Sequence, residues 1–208
     1  MRKYERTIET LEMDGGWLCV DYVNTVRNRF EHPQHNYLTD YQSLIVWFLR
    51  KNLITKEEAS RLRSYADKHL SEKENAYQRA IEIRETLYQV FRAIIHERAP
   101  NALAMEQLNS YLREAYDALK IEIDAPKVIR EAWVKMPNLL QFPLNPIVKS
   151  AHDLLMSDLL HRLKECQNCG WLFLDKSKNG SRRWCNMQTC GSSTKAKRYY
   201  NKVKKSNS

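Results

Sequence analysis

Apolar residues recur at helical spacing along most of this 208-residue chain. Between residues 73 and 98, Ala76, Ala80, Ile83, Leu87, Phe91, Ile94 and Ile95 fall on one face of a helix, and Pro100 stops the pattern. Upstream, TKEEASRLRSYADKHL opens with Thr55 and Glu58 at capping-box spacing, and downstream a further helix is predicted from Asn101 to about Leu119. The stretch KIEIDAPKVIREAWVKM breaks the helical period. Its alternating Ile121 and Ile123, followed by a proline-containing turn, predict a short β-hairpin. A last helix is predicted with Asn145 as cap and Pro146 in the first turn. Its broad face of Ile147, Ala151, Leu154, Leu155, Leu159 and Leu163 runs to about Lys164. The expected fold class is mainly α with a small β-hairpin.

Two residues beyond that helix the pattern changes. The segment starting CQNCGWLFLDKSKNGSRRWCNMQTCG holds four of the five cysteines, as Cys166-x2-Cys169, fifteen residues, then Cys185-x4-Cys190. Two close pairs about 15 residues apart are a strong zinc signature, because thiolates are soft donors suited to a tetrahedral ion. An iron–sulfur cluster also takes four thiolates and stands as the alternative. Gly170 and Gly191 each follow the second cysteine of a pair, where a positive φ would let backbone N–H groups turn toward sulfur. Between the pairs, Asn179-Gly180 signals a hairpin turn with WLFLD and SRRWC as its arms and Trp171, Phe173 and Trp184 as its packing. So short a module needs a staple to fold, and one structural Zn2+ held by Cys166, Cys169, Cys185 and Cys190 supplies it. Four protein ligands leave no open position for a catalytic metal.

Charge sharpens this division. The chain has a formal net charge of +9, and the segment from Cys166 onward carries ten Lys and Arg against Asp175 alone. The excess therefore sits entirely on the cysteine-bearing end, and the remainder is balanced. That asymmetry predicts a polyanion partner for the end piece, nucleic acid and most simply DNA. If SSTKAKRYYNKVKK is a helix, Ala196, Tyr199, Tyr200 and Val203 dock on the finger, and Lys195, Arg198, Lys202 and Lys205 face outward. The predicted nucleic-acid contacts are Arg182, Arg183, Lys195, Lys197, Arg198 and Lys202. The alternatives are a solvated basic tail, or an RNA- or ribosome-associated protein using Trp171, Trp184, Tyr199 and Tyr200 for stacking. Two parts follow, a helical domain over 1–164 and a four-cysteine finger over 165–208.

Other signals are weaker. With a mean hydropathy of −0.65, no secretory start and no run near the roughly 20 apolar residues of a membrane span, the chain is expected to be cytoplasmic, with no membrane partner. Thiols stay reduced there, which favours metal over disulfide. Cys19, alone among apolar residues, reads as a small buried hydrophobe. His32 and His35, near Glu31, read as surface-loop residues, and Asp21 and Asn24 as helix caps. The chain contains no glycine-rich phosphate loop, GxSxG elbow or HExxH, so no enzymatic activity is expected.

Several runs carry a family resemblance. Cys166-x-x-Cys169-Gly170, Phe173-x-Asp175-x-Ser177 and Arg182-Arg183-Trp184-Cys185-x-Met187-x-x-Cys190-Gly191 resemble the bacterial CGNR zinc finger. GGWLCVDYVNTV, at 15–26, resembles the opening of the ABATE domain that accompanies it. The resemblance implies an orthogonal helical N-terminal domain acting as sensor or interaction module, with a small-molecule or protein partner, and a finger composed of a hairpin and a basic helix. It also implies a stress-responsive transcription regulator that binds DNA through the finger. The sequence departs from the signature at Ser192 and Ser193, which stand where the family name has Asn and Arg.

Overall fold

The computed structural model describes residues 6–125, 127–134, 140–196 and 200. Six α-helices precede the cysteine segment: α1 (Leu18–Val23), α2 (Tyr41–Arg50), α3 (Lys56–Lys68), α4 (Leu70–Ile95), α5 (Ala102–Asp117) and α6 (Asn145–Leu155). A ribbon of β1 (Leu119–Ala125) and β2 (Val128–Trp133) follows α5, and a second one, β3 (Leu163–Glu165) and β4 (Leu172–Leu174), brackets the first cysteine pair. The protein is thus mainly helical with two small antiparallel hairpins, and the four cysteines gather at its C-terminal end.

Local chemistry sets most boundaries. Thr55 and Glu58 form the capping box of α3, Asp40 and Ser43 form another on α2, and the Asn101 side chain accepts the Leu103 N–H to cap α5. In the β1–β2 ribbon, Ile123 faces Ile129 on one side. On the other, Glu122 pairs with both Lys120 and Arg130. The last helix differs from expectation at both ends. A 3-10 turn at Phe142–Leu144 precedes it, so Asn145 is its first helical residue and not a side-chain cap. It stops at Leu155, where the Ser157 hydroxyl donates to the Leu154 carbonyl and draws the chain out of the helix. A 3-10 turn at Leu160–Arg162 then feeds β3, which leaves Leu159 exposed and buries Leu163 in a strand.

The centre of the fold is α1, a short helix packed against α4, α6 and β4. Its Tyr22 hydroxyl donates to the Ala80 carbonyl at 2.6 Å, and the Trp17 indole just before it donates to the Ser150 carbonyl at 2.9 Å. Cys19 is fully buried, and burial pushes its thiol up to about 12, an unreactive packing residue as expected. Asp21 does not cap its own helix. One carboxylate oxygen accepts the Gly15 N–H at 2.9 Å and the other takes Lys51 at 2.7 Å, which fixes the loop before α1. The core is continuous from these helices into Trp171, Leu172, Phe173 and Leu174. A boundary at 164/165 falls inside β3.

Candidate metal centre

The first cysteine pair sits in the turn of the β3–β4 hairpin. The Cys166 N–H donates to the Trp171 carbonyl at 2.7 Å, and the Gly170 N–H closes the turn on the Cys166 carbonyl at 2.9 Å. Gly170 has φ +72°, and a Cβ there would lie 2.6 Å from the Cβ of Arg29, so glycine is required twice over. Gly191 behaves otherwise. It closes a π-helical turn, Met187–Gly191, and is absent from the positive-φ glycines, Gly16, Gly170 and Gly180.

The second pair reaches the site by a different path. SRRWC forms no strand; β4 pairs with β3 instead, and the chain after it curls around one carboxylate. The buried Asp175 accepts the Ser177 hydroxyl at 2.6 Å, the Ser177 N–H at 3.0 Å, Lys164 at 2.9 Å and the Arg182 N–H at 2.8 Å. Burial works against its charge, yet those donors hold the carboxyl well below the usual carboxylate range. The loop so formed delivers Cys185. Asn186 then caps the π-helical turn by accepting the N–H groups of Gln188 and Thr189, and Cys190 lies within that turn. Residues 192–196 continue as helix.

The four sulfurs converge. Cys169, Cys185 and Cys190 are 3.7, 3.7 and 3.6 Å apart pairwise, and all four Sγ atoms lie within 4.8 Å of one another. A tetrahedral ion with Zn–S bonds of about 2.3 Å requires sulfur separations of about 3.8 Å. A disulfide requires about 2 Å. A polynuclear iron–sulfur core spreads its thiolates over several irons and needs a wider cage. The donor set and its size therefore fit one zinc-sized tetrahedral ion. Among the described residues this is the group able to hold a metal; His32 and His35 are exposed and gather no partners for one.

The helical part closes over the hairpin in a way the sequence reading missed. The side-chain amide of Asn24 accepts the Leu172 N–H at 2.9 Å and donates to the Leu172 carbonyl at 2.7 Å, standing in for a third strand on the free edge of β4. Along the same edge the Leu174 N–H donates to the Gly15 carbonyl at 2.9 Å, and the Trp171 indole to the Val26 carbonyl at 2.6 Å. The Arg29 N–H donates to the Cys169 carbonyl at 2.8 Å. On the far side, Glu165 of β3 takes Tyr88 and Arg92 of α4 and His96, the residue that caps it. The signal in the sequence was a polar residue, Asn24, within an apolar run; its partner lies too far along the chain for local patterns to name it.

The predicted nucleic-acid contacts divide. Arg183 and Lys195 are exposed. Arg182 is turned inward, donating to the Cys185 carbonyl at 2.5 Å and lying over the Phe173 ring at 5.0 Å. Lys197, Arg198 and Lys202 lie outside the described residues. Of the residues expected to stack on bases, Trp171 is buried apart from what it lends to a cleft wall, Trp184 is half-buried, Tyr200 is exposed and Tyr199 lies outside the described residues. Ser192 donates to the Met187 carbonyl at 3.2 Å, and Ser193 is exposed.

Two family matches divide the chain where the turn between α6 and β3 does. Residues 16–158 match ABATE, described as "Putative stress-induced transcription regulator", and residues 162–202 match zf-CGNR, described as "CGNR zinc finger". No curated protein matches the chain. No described helix is long and apolar enough to cross a membrane.

Proposed function

The chain belongs to the ABATE family, and on that premise we propose that it is a cytoplasmic, non-catalytic transcription regulator that binds DNA through its C-terminal finger. Cys166, Cys169, Cys185 and Cys190 hold one structural zinc, which fixes the second pair and the helix after it. The observation that carries the reading is the coincidence of this tetrahedral thiol cage with the whole of the chain's excess positive charge. Arg183 and Lys195 present that charge on the ordered finger, and Lys197, Arg198 and Lys202 extend it. Arg182 stays with the fold. The helical part, packed on the finger along β4, serves as the sensor or interaction module.

Each phosphate neutralised on duplex DNA adds about 0.9 to the slope of log K against log salt. Replacing Arg198 and Lys202 together by Gln is expected to flatten that slope by about 2, with equal loss on all sequences. Ser193→Arg is expected to steepen it. Binding of the zinc-loaded protein to duplex DNA across a salt series reads both. An unchanged slope in the double variant, or tighter binding to single-stranded RNA than to duplex, overturns the reading.

A further inference from the structure

A cleft of about 600 Å³ opens between the loop after α1 and the finger, lined by Arg6, Asp14, Arg27, Glu31, His35 and Tyr37 on one side and by Asn168, Trp171 and Thr189 on the other. Cys169, Cys185 and Cys190 form part of its wall. Its volume is in the range of small-molecule sites. The lining carries two signs of charge that do not satisfy each other.

Among the described residues, the guanidinium of Arg27, an exposed residue at the cleft mouth, has no hydrogen-bond or ion-pair partner in the protein, and neither has the hydroxyl of Tyr37, a residue only 7% exposed. Arg6 is held by Glu12 at 2.9 Å. On the acidic side, Asp14 has one hydrogen-bond donor, Asn186 at 3.2 Å, and forms no ion pair, with Arg6 and Arg182 acting on it only from farther off. Glu31 likewise takes only Asn28, at 3.1 Å. Burial raises the Asp14 carboxyl above its ordinary value, and the Asn186 amide and the charges of Arg6 and Arg182 offset only part of that. Four thiolates around a zinc dication leave further negative charge on the wall nearby. An unpaired guanidinium calls for an anion and a half-buried carboxylate calls for a cation; both stand in one cleft without touching.

We propose that this cleft binds a small zwitterion of the amino-acid type, its carboxylate on Arg27 with the Tyr37 hydroxyl, its ammonium on Asp14, and its side group along Trp171. One molecule then supplies both missing charges, and each contact is a charge-assisted hydrogen bond in a partly dry site. The ligand touches the loop after α1 and the finger together. Asn168, on the finger side, also accepts the Thr194 hydroxyl at 3.3 Å, so the occupied cleft lies against the first turn of the basic helix. The site is independent of whether the finger binds DNA or RNA.

The test is thermal unfolding and calorimetric titration of the zinc-loaded full chain with the twenty free amino acids and a set of dipeptides. At least one compound is expected to raise Tm saturably. Its N-acetyl and methyl-ester derivatives, each missing one charge, are expected to bind about tenfold or more weakly. Arg27→Ala and Asp14→Asn are expected to produce the same loss while retaining one zinc per chain. A dipeptide that outbinds its free residues assigns the natural ligand to peptides; the reverse order assigns it to free amino acids. Absence of binding by every compound, or equal affinity in wild type and both variants, overturns the proposal.

Discussion

Cys166 and Cys169 stand in a hairpin whose strand β4 is buried along its length, whereas Cys185 and Cys190 stand in a segment where exposed and half-buried residues predominate. The first pair is placed by the fold. Its strand is hydrogen-bonded on one edge by β3 and on the other by Gly15 and Asn24, and its turn is clasped through the Cys169 carbonyl by Arg29. The second pair is placed by its own loop, wound on Asp175, by the Asn186 cap and by the sulfurs it meets. One half of the cage is therefore held by the core, and the other by the local contacts of its own loop. A zinc ligand set need not belong to an autonomous module for the metal to be structural.

The largest effect that separates the halves is metal removal. Structural zinc contributes on the order of 10–16 kcal/mol in isolated fingers. Stripping it with a chelator, or replacing Cys190 with Ser, is expected to abolish amide protection over 181–191 and to leave the Leu172 and Leu174 N–H groups protected. Hydrogen exchange reads this residue by residue; loss of protection in β4 as well would break the comparison.

Next in size is the clasp itself. Asn24→Ala leaves both the N–H and the carbonyl of Leu172 buried and unpaired, at a cost of about 1–3 kcal/mol each. Denaturant unfolding is expected to show a loss of about 2–5 kcal/mol spread over the whole chain, since the core is shared. A loss confined to zinc affinity, with global stability unchanged, would mean that β4 belongs to the finger alone.

The two glycines give the finest contrast. Gly170→Ala must hold φ +72° and push against Arg29, and is expected to destabilise by at least about 2 kcal/mol. Gly191→Ala meets the far end of the flexible Met187 side chain, with Sδ at 3.1 Å, and Trp184 at an ordinary 3.5 Å, and is expected to change stability by less than about 1 kcal/mol. Equal effects at the two positions would argue that both halves of the cage are held alike.

What the sequence disclosed follows from the range of the interactions involved. The Thr55–Glu58 box, the buried face of α4 and the β1–β2 ribbon rest on neighbours within a few residues, and the cysteine spacing encodes its own geometry. The errors lie where a side-chain contact overrides the local pattern, whether its partner is near or distant. Leu155, Leu159 and Leu163 continue the helical spacing of α6, yet Ser157 ends the helix and Leu174 recruits Leu163 into a strand. Asn179-Gly180 has hairpin chemistry, and Gly180 does adopt a positive φ, but Asp175 winds the chain so that SRRWC never meets β4. Asn24 stands out locally only as a polar residue in an apolar run, because its role is defined by Leu172.

The clasp also sets a timetable. The Trp171 indole and the Val26 carbonyl that accepts it are 145 residues apart. At about 5–20 residues per second, a ribosome needs roughly 7–30 s to make the intervening chain. During that interval α1, the most enclosed helix of the protein, exists without the strand that covers one of its sides, and the amide of Asn24 faces water or a passing chaperone. Completion of the core is thus deferred until the cysteine segment has been synthesised. A chain interrupted before β4 therefore lacks the partners of Asn24 and Val26 and leaves the body without part of its core.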